Sequence, residues 1–448
     1  MKLRDYQLKL IEEIHRRMHR WKWVCAVMPT GAGKTAMGTE IVRRSMAKGK
    51  RIYWMAHRRE LVDQASLSFM RAKIPHGLIV SGEPASRHQV QICSVQTVGR
   101  RLDRIRQPHF IVFDECHHAR ASTWMKIVDV WRDSHCLGLT ATPVRLDGKG
   151  LGDVFGEMAI GPTIKELIEM GHLSDYDYFA YPLNMEGVKK TGGDYNKKAM
   201  EERVRSAHIV GNLVKEYEKR GRGQMLVFAP SISYSKEFVA GLDKAAHLDG
   251  TTPKMEREGI LNQFRRKEIN ILSNVELFTE GLDIPEIERI GMLRPTQSLS
   301  LFLQMAGRGL RPAKGKEKCI ILDHAGNFDR HRLPCEDRDW ELYPSKEKKE
   351  APLSLFTCEQ CFGVYRGRTC PYCGHVRVVT PPRQIKEEKD VALVDAKALR
   401  QQEVKEGKKN IKSYEDAVEF GVRMGYKPNW ARHYWKHKQA AMESWRMK

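Results

Sequence analysis

The stretch WVCAVMPTGAGKT, Trp23 to Thr35, decides how the first half of the chain is read. An apolar run enters a glycine-bearing loop that ends in Gly33-Lys34-Thr35, and the residues after it have helical character. A strand that turns into a helix through such a loop aims several backbone N–H groups at one spot. Glycines let those groups close around phosphates, Lys34 can reach the β and γ phosphates, and the Thr35 hydroxyl can ligate Mg2+. Met28 stands where the general pattern has its first glycine, so the match is one position short. The flanking strand and helix set the segment apart from a chance Gly-Lys-Thr. They mark Pro29, Thr30, Gly31, Ala32, Gly33, Lys34 and Thr35 as a candidate triphosphate cradle.

Outward from this loop, short apolar runs alternate with amphipathic segments as far as about Pro143: RIYWMA, VQICSV, HFIVFD and CLGLT. Strands spaced by helices imply βαβ units and a parallel sheet covered on both faces, with the ligand-binding loops at one edge. FIVFDECHH, Phe110 to His118, ends such a strand in Asp114 and Glu115. One carboxylate there can hold magnesium through water, and its neighbour can polarise an attacking water. A lone Asp-Glu pair at a strand end often only caps a helix; beside a phosphate loop in the same sheet it becomes a candidate catalytic centre. Past the connector RLDGKGLGDVFG the alternation resumes with MLVFA, INILS, ERIGM and KCIILD. The expected fold class is α/β, with two tandem parallel-sheet lobes at residues 1–162 and 163–333.

Composition narrows the partners. The 448 residues carry 77 Lys and Arg against 56 Asp and Glu, a net +21 that favours polyanions through counterion release. No apolar run of about 18 residues appears, and the amino terminus has no apolar leader, so a cytoplasmic protein without a membrane partner is expected. Of ten cysteines, Cys358, Cys361, Cys370 and Cys373 form the spacing C-x2-C-x8-C-x2-C, and the rest are scattered. Two-residue loops place paired thiolates on a tetrahedron, which points to structural Zn2+ at residues 357–380; with four sulfurs no catalytic position stays open. The ribbon is then either a staple or a surface for DNA or protein.

Residues 334–356 read as a solvated, charge-rich linker, and residues 381–448 as a basic helical region. From Val422 onward, seven Lys or Arg oppose Glu443 and are interleaved with Trp430, Tyr434, Trp435 and Trp445. Aromatics among cations can stack on bases, or they can form the core of a small helical domain.

PTGAGKT (29–35), DECH (114–117), LTATP (139–143) and QMAGRGLRP (304–312) together resemble, in order and spacing, the motifs of superfamily 2 helicases. LRPTQSLSLFLQMAGRGLRP and GKEKCIILDHAGN resemble most the RadD-type bacterial repair helicases and their phage relatives, over about residues 1–333 with a four-cysteine module behind. The resemblance implies two RecA-like lobes, ATP and Mg2+ in the cleft between them, and movement on DNA, single-stranded or forked. Arg4 and Gln7 in LRDYQ resemble the adenine-reading motif. Asp114 would coordinate Mg2+, Glu115 would be the general base, and His117, Thr140 and Thr142 would couple nucleotide state to strand contact. NVELFTEGLDIP resembles motif V, with Gly281 and Asp283 toward nucleotide and Thr279 toward the strand. Gln304, Arg308 and Arg311 resemble motif VI, whose arginines face the γ-phosphate. Arg58, Ser94, Gln96 and Thr97 match the motifs that line the backbone channel.

An ATP-driven DNA helicase or translocase in repair, recombination or phage replication is the first expectation. An RNA-directed motor and an ATP-gated remodelling or annealing protein are the rivals. A replication or repair protein is an expected partner of the ribbon or tail. A nuclease motor is disfavoured, because no metal-nuclease constellation stands outside the motor motifs.

Overall fold

The structure, a computed structural model, describes residues 3–83, 86–118, 122–144, 150–207, 209–279, 281–343, 355–377, 405–424, 426 and 429–446. Residues 1–377 form one compact unit and residues 378–448 another.

The amphipathic helix α1 (Asp5–Met18) buries Tyr6, Leu10, Ile11 and Ile14. Then follow β1 (Trp23–Val27), α2 (Lys34–Ala47), β2 (Ile52–Ala56), α3 (Arg59–Arg71), β3 (Gly77–Ile79), β4 (Val90–Ser94), α4 (Val95–Arg100), β5 (Phe110–Asp114), α5 (Ser122–Val130), β6 (His135–Thr140) and β7 (Glu157–Ile160). The sheet order is β3-β4-β2-β5-β6-β1-β7, all parallel. Strands β1, β2 and β5 are buried at every position, as expected where helices cover both faces. Trp54 on β2 is fully buried against Phe69 of α3, edge to face at 5.5 Å. Burial of a side chain of this class stabilises by about 1.5–3 kcal/mol.

The second lobe holds α6 (Ile164–Glu169), β8 (Asp175–Ala180), the β9 (Lys190–Thr191) and β10 (Asp194–Tyr195) hairpin, α7 (Lys197–Ser206), α8 (Ile209–Lys219), β11 (Met225–Phe228), α9 (Ile232–Ala240), β12 (Ala245–Leu248), α10 (Lys254–Arg265), β13 (Ile271–Asn274), β14 (Arg289–Met292), α11 (Leu299–Gly309), β15 (Lys318–Asp323) and α12 (Asn327–His331). Its sheet is β12-β13-β11-β14-β15-β8, again parallel. One apolar cluster runs from Trp54 and Phe69 in the first lobe to Phe228 and Phe302 in the second. The expected boundary near residue 162 falls between β7 in one sheet and β8 in the other.

The expected linker, residues 334–356, needs correction. Its described part, 334–343, is a packed strap. Arg338 donates to the carbonyls of His331, Leu333, Pro334 and Glu336, which holds the turn closed. Trp340 packs against apolar clusters on both faces of the first sheet, and the Gly152 N–H donates to Leu342 O at 3.0 Å. The charge around Trp340 hides an apolar anchor, which is why composition reads the segment as solvated. Residues 344–354 lie outside the described residues, as do 378–404.

Strands β16 (Leu355–Thr357) and β17 (Val364–Arg366) build the four-cysteine ribbon. In the second unit, α13 (Tyr414–Arg423) begins with a Ser413–Asp416 capping box and packs on α14 (Trp430–Arg446). Their core is Ile411, Ala417, Phe420 and Ala431, with Trp430, Tyr434 and Trp435 against it. Trp430 stacks on Tyr434 at 4.8 Å. These aromatics therefore serve as core, while Arg432, His433, Lys436 and His437 are exposed. The side chain of Trp445 lies outside the described residues.

Candidate active site

β1 delivers the phosphate loop at the carboxyl edge of the first sheet. Gly31 and Gly33 take φ of +88° and +83°, a left-handed backbone that only glycine adopts without strain. Gly33 is also close-packed: a Cβ there would meet Gln7 Nε2 at 2.5 Å. Lys34 is buried, with Nζ 3.4 Å from both Met28 O and Glu115 Oε1. Contacts that long are weak and readily exchanged for a phosphate oxygen. The Thr30 hydroxyl, buried in the same loop, has no hydrogen-bond partner among the described residues.

β5 ends in Asp114, and Glu115 follows with φ +51°. His117 Nδ1 lies 3.3 Å from Glu115 Oε2 and 3.1 Å from Thr140 Oγ1. Thr140 Oγ1 donates to Thr142 O at 2.8 Å and accepts from Thr142 N at 3.1 Å. Because that hydroxyl's one proton is already committed, Nδ1 is the donor toward Thr140. Lysine, carboxylate, imidazole and the LTATP turn thus form one continuous polar chain. A change at the loop can reach Thr142 without crossing the apolar core.

The second lobe closes on this site through α11. A Cβ added at Gly307 would lie 2.6 Å from Thr30 Cβ, so only glycine lets the helix approach the loop this closely. Arg308 is buried and donates to Thr279 O and Leu282 O at 2.8 Å. Arg311 donates to Leu282 O at 2.7 Å and pairs with Asp283 at 2.8 Å, and its Cγ lies 3.5 Å from the Cβ position of Gly31. Burial lowers the Arg311 guanidinium from its usual value and Asp283 opposes the shift, yet it stays cationic. Of the expected set, Lys34 and Glu115 lie 3.4 Å apart, Asp114 ends β5 just before Glu115, Arg311 reaches Gly31 of the loop from the second lobe, and Gln304 and Arg308 are buried on α11.

Several expected roles meet different geometry. Gln7, expected to read a purine edge, is engaged within the loop: Oε1 accepts from Arg4 N at 2.9 Å and Nε2 donates to Ala32 O and Gly33 O. Its carboxamide fills the space that Gly33 leaves empty, and so braces the phosphate loop. Arg58, expected on a nucleic-acid backbone, donates across the lobes to Glu276 O at 2.9 Å. Ser94 bonds Gln96, and Gln96 Nε2 donates to His57 O, so these two share an accessible rim. Thr97 and Thr279 are buried, and the Thr279 carbonyl is held by Arg308. Gly281, at φ +77°, abuts Glu60 of the other lobe.

Four contributors do not show in the sequence. Tyr6 OH donates to Ala32 O at 2.8 Å beside His172, whose ring centroid is 5.2 Å away. Lys316 binds the carbonyls of Gly309, Arg311 and Pro285 and so fixes the end of motif VI. Glu60 and Arg257 pair across the lobes at 2.9 Å. The one signal for Tyr6 is its place between Arg4 and Gln7; the others are tertiary.

The four sulfurs of Cys358, Cys361, Cys370 and Cys373 lie within 4.8 Å of one another, with Cys358–Cys373 at 3.6 Å and Cys361–Cys370 at 3.5 Å. Tetrahedral Zn–S bonds of about 2.3 Å require sulfurs about 3.8 Å apart, so this cluster fits Zn2+. The ribbon is seated on β8: Ala180 N donates to Phe362 O, Phe179 meets Tyr372 at 4.9 Å, and Arg220 lies 3.4 Å over Phe179 while donating to Cys361 O.

Fold and cleft together define a two-lobed phosphate-loop ATPase with a metal-binding ribbon. Residues 1–145 match the family "Type III restriction enzyme, res subunit", and residues 207–313 match "Helicase conserved C-terminal domain". A 51.5 kDa protein of a Lactococcus phage is 34% identical over 359 residues, 78% of this chain and 76% of that one. The Escherichia coli type I restriction enzyme EcoAI endonuclease subunit is 28% identical over 417 residues, 80% of this chain but 50% of its own length. Among solved structures, the ATP-dependent type ISP restriction-modification enzyme LlaBIII bound to DNA shares the fold, with TM-score 0.57 and 18% identity over 72% of this chain and 28% of that one. The chain belongs to the superfamily 2 helicases, and it is an ATP-hydrolysing enzyme of that class.

Proposed function

We propose that the protein is a DNA helicase or translocase that couples ATP hydrolysis to movement on single-stranded or forked DNA during repair, recombination or phage replication. The observation that carries this reading is the approach of the second lobe to the phosphate loop, where Gly307 packs on Thr30 and Arg311 on Gly31, in the same loop whose Lys34 lies 3.4 Å from Glu115. An arginine supplied across a cleft makes hydrolysis conditional on closure, and closure changes the grip of both lobes on a strand. Lys34, Thr35 and Asp114 would hold the triphosphate and its Mg2+, which supplies charge neutralisation on the phosphates. Zn2+ in the ribbon is structural in this reading.

DNA is favoured over RNA by relatives described as acting on or bound to DNA, whereas the net charge of +21 suits either polyanion. The RadD-type resemblance, a cytoplasmic setting in a bacterium or phage-infected cell, and a repair or replication partner belong to the same proposal. No helix among the described residues is long and apolar enough to cross a membrane. The test compares ATPase stimulation by matched single-stranded DNA and RNA, and displacement of a labelled strand from forked and tailed duplexes. Stronger stimulation by RNA would reverse the substrate; stimulation without displacement on any duplex would leave a translocase or annealing protein.

The second unit offers a separate prediction. Cutting after Gly421 would sever α13 from α14, so the clean deletion removes residues 378–448. Basal ATPase is expected to persist, while the salt slope of DNA binding falls by about 1 for each phosphate that the shortened chain no longer neutralises. An unchanged slope would assign the exposed Arg432 and Lys436 no part in binding.

A further inference from the structure

The nucleotide and the expected strand contacts occupy the carboxyl edge of the first sheet. At its opposite edge, between the last turns of α1 and α2 and the starts of β5 and β6, lies an open groove of about 1240 Å3. Its floor is apolar: buried Ile11 and Ile14 from α1, Ile41 from α2 and Phe110 from β5 present only their outer edges, beside half-buried Met18 at the end of α1. Its rim is cationic, with Arg16, Arg43, Arg44, Lys48 and Lys50 against Glu12 and Asp133.

Helix dipoles account for part of this charge, since cations in the last turn of a helix are favoured. Arg16 shares Glu13 with Arg17, and Arg43 and Arg44 share Glu40, so these pairs offset only part of the arginine charge. Lys48 and Lys50 follow α2, are exposed, and have no ion-pair partner among the described residues. Burial, then neighbouring cations that include Lys50, lowers both His109 and His135 on the same rim. The rim therefore keeps a positive excess, since Lys48 and Lys50 pair with neither of its acids, Glu12 and Asp133, among the described residues.

We propose that this groove docks a short acidic segment of a partner protein, whose aliphatic side chains rest on the Ile11–Ile14–Ile41 floor while its carboxylates meet Lys48 and Lys50. The apolar floor separates this occupant from nucleic acid: phosphate backbones need cations but make no use of an aliphatic trough, Phe110 in the floor is buried, and His15 and His19 meet edge to face at 4.7 Å. At about 1240 Å3 the groove exceeds the usual small-ligand range of about 300–1,000 Å3 and is open to solvent, which suits a peptide. Its place behind the sheet lets a partner hold the motor without covering the cleft.

The test uses the full chain and a fluorescein-labelled peptide of repeating Asp-Asp-Leu-Leu, read by anisotropy, against a matched Asp-Asp-Ser-Ser peptide. The leucine peptide is expected to bind at least about ten-fold tighter. Lys48→Glu with Lys50→Glu is expected to weaken it at least about ten-fold, with DNA-stimulated ATPase within about two-fold of the parent. The Lys48→Ala, Lys50→Ala pair gives a smaller effect in the same direction, and carries the test if the charge reversal lowers the thermal midpoint. No binding of the leucine peptide, equal binding of the serine peptide, or indifference to both double variants overturns the proposal. Displacement of the peptide by oligothymidylate, with DNA affinity abolished in the same variants, makes the groove a phosphate site instead.

Discussion

Arg311→Ala is expected to lower kcat for ATP hydrolysis by about 10^3 to 10^5, with nucleotide binding little changed. The side chain reaches the phosphate loop from the second lobe, held by Leu282 O and Asp283, while Lys316 fixes the carbonyl behind it. Its guanidinium is therefore prepositioned, and its contribution grows as charge moves onto the transferring phosphoryl group. Arg311→Lys should recover little, because an ammonium cannot hold the two-point geometry with Leu282 O and Asp283 and still present a donor. Single-turnover hydrolysis beside binding of a fluorescent nucleotide separates the two effects. An Arg311→Ala protein with parental turnover would remove the second lobe from the chemistry.

Loss of the Zn2+ proposed for the ribbon carries the second large effect. Isolated zinc modules owe about 10–16 kcal/mol of apparent folding energy to their metal at neutral pH, and this ribbon has little else. Beyond its sulfurs, its own buried cluster is Tyr365 with part of Phe356. Chelation, or Cys370→Ser, is expected to unfold residues 355–377 and uncover the edge of β8, including Phe179. Trypsin should then cut rapidly after Arg366 and Arg368, while the first lobe retains nucleotide. Metal analysis at one Zn2+ per chain, with cleavage that tracks its removal, is the supporting result. Cleavage insensitive to chelator would leave four reduced cysteines without a metal role.

How far the sequence is legible depends on whether a residue's partner is local. Gly31, Gly33, Lys34 and the Asp114–Glu115 pair are readable because strand, loop and helix follow one another within a few positions. The strands buried on both faces are equally plain, since WVCAV and FIVFD have no polar interruption. Strand β8, DYDYFA, escapes such a reading because its outer half is acidic and only its last three residues are buried. The partners of Gln7 and Arg58 escape for another reason: their polar groups meet carbonyls 25 and 218 positions away. The tail's aromatics leave two readings open in the sequence, and packing against Phe420 and Ile411 selects the core.

Among the described residues the chain passes between the lobes at 160–164 and again through the strap, and these passages face each other across a cavity of about 390 Å3. Two covalent pins side by side define a hinge axis. Rotation about the line through them is cheap, whereas sliding one lobe along the other would tear Trp340 from its seat and break the Leu342–Gly152 bond. A motor pinned in this way would swing through a limited arc and gain track in short increments rather than long reaches.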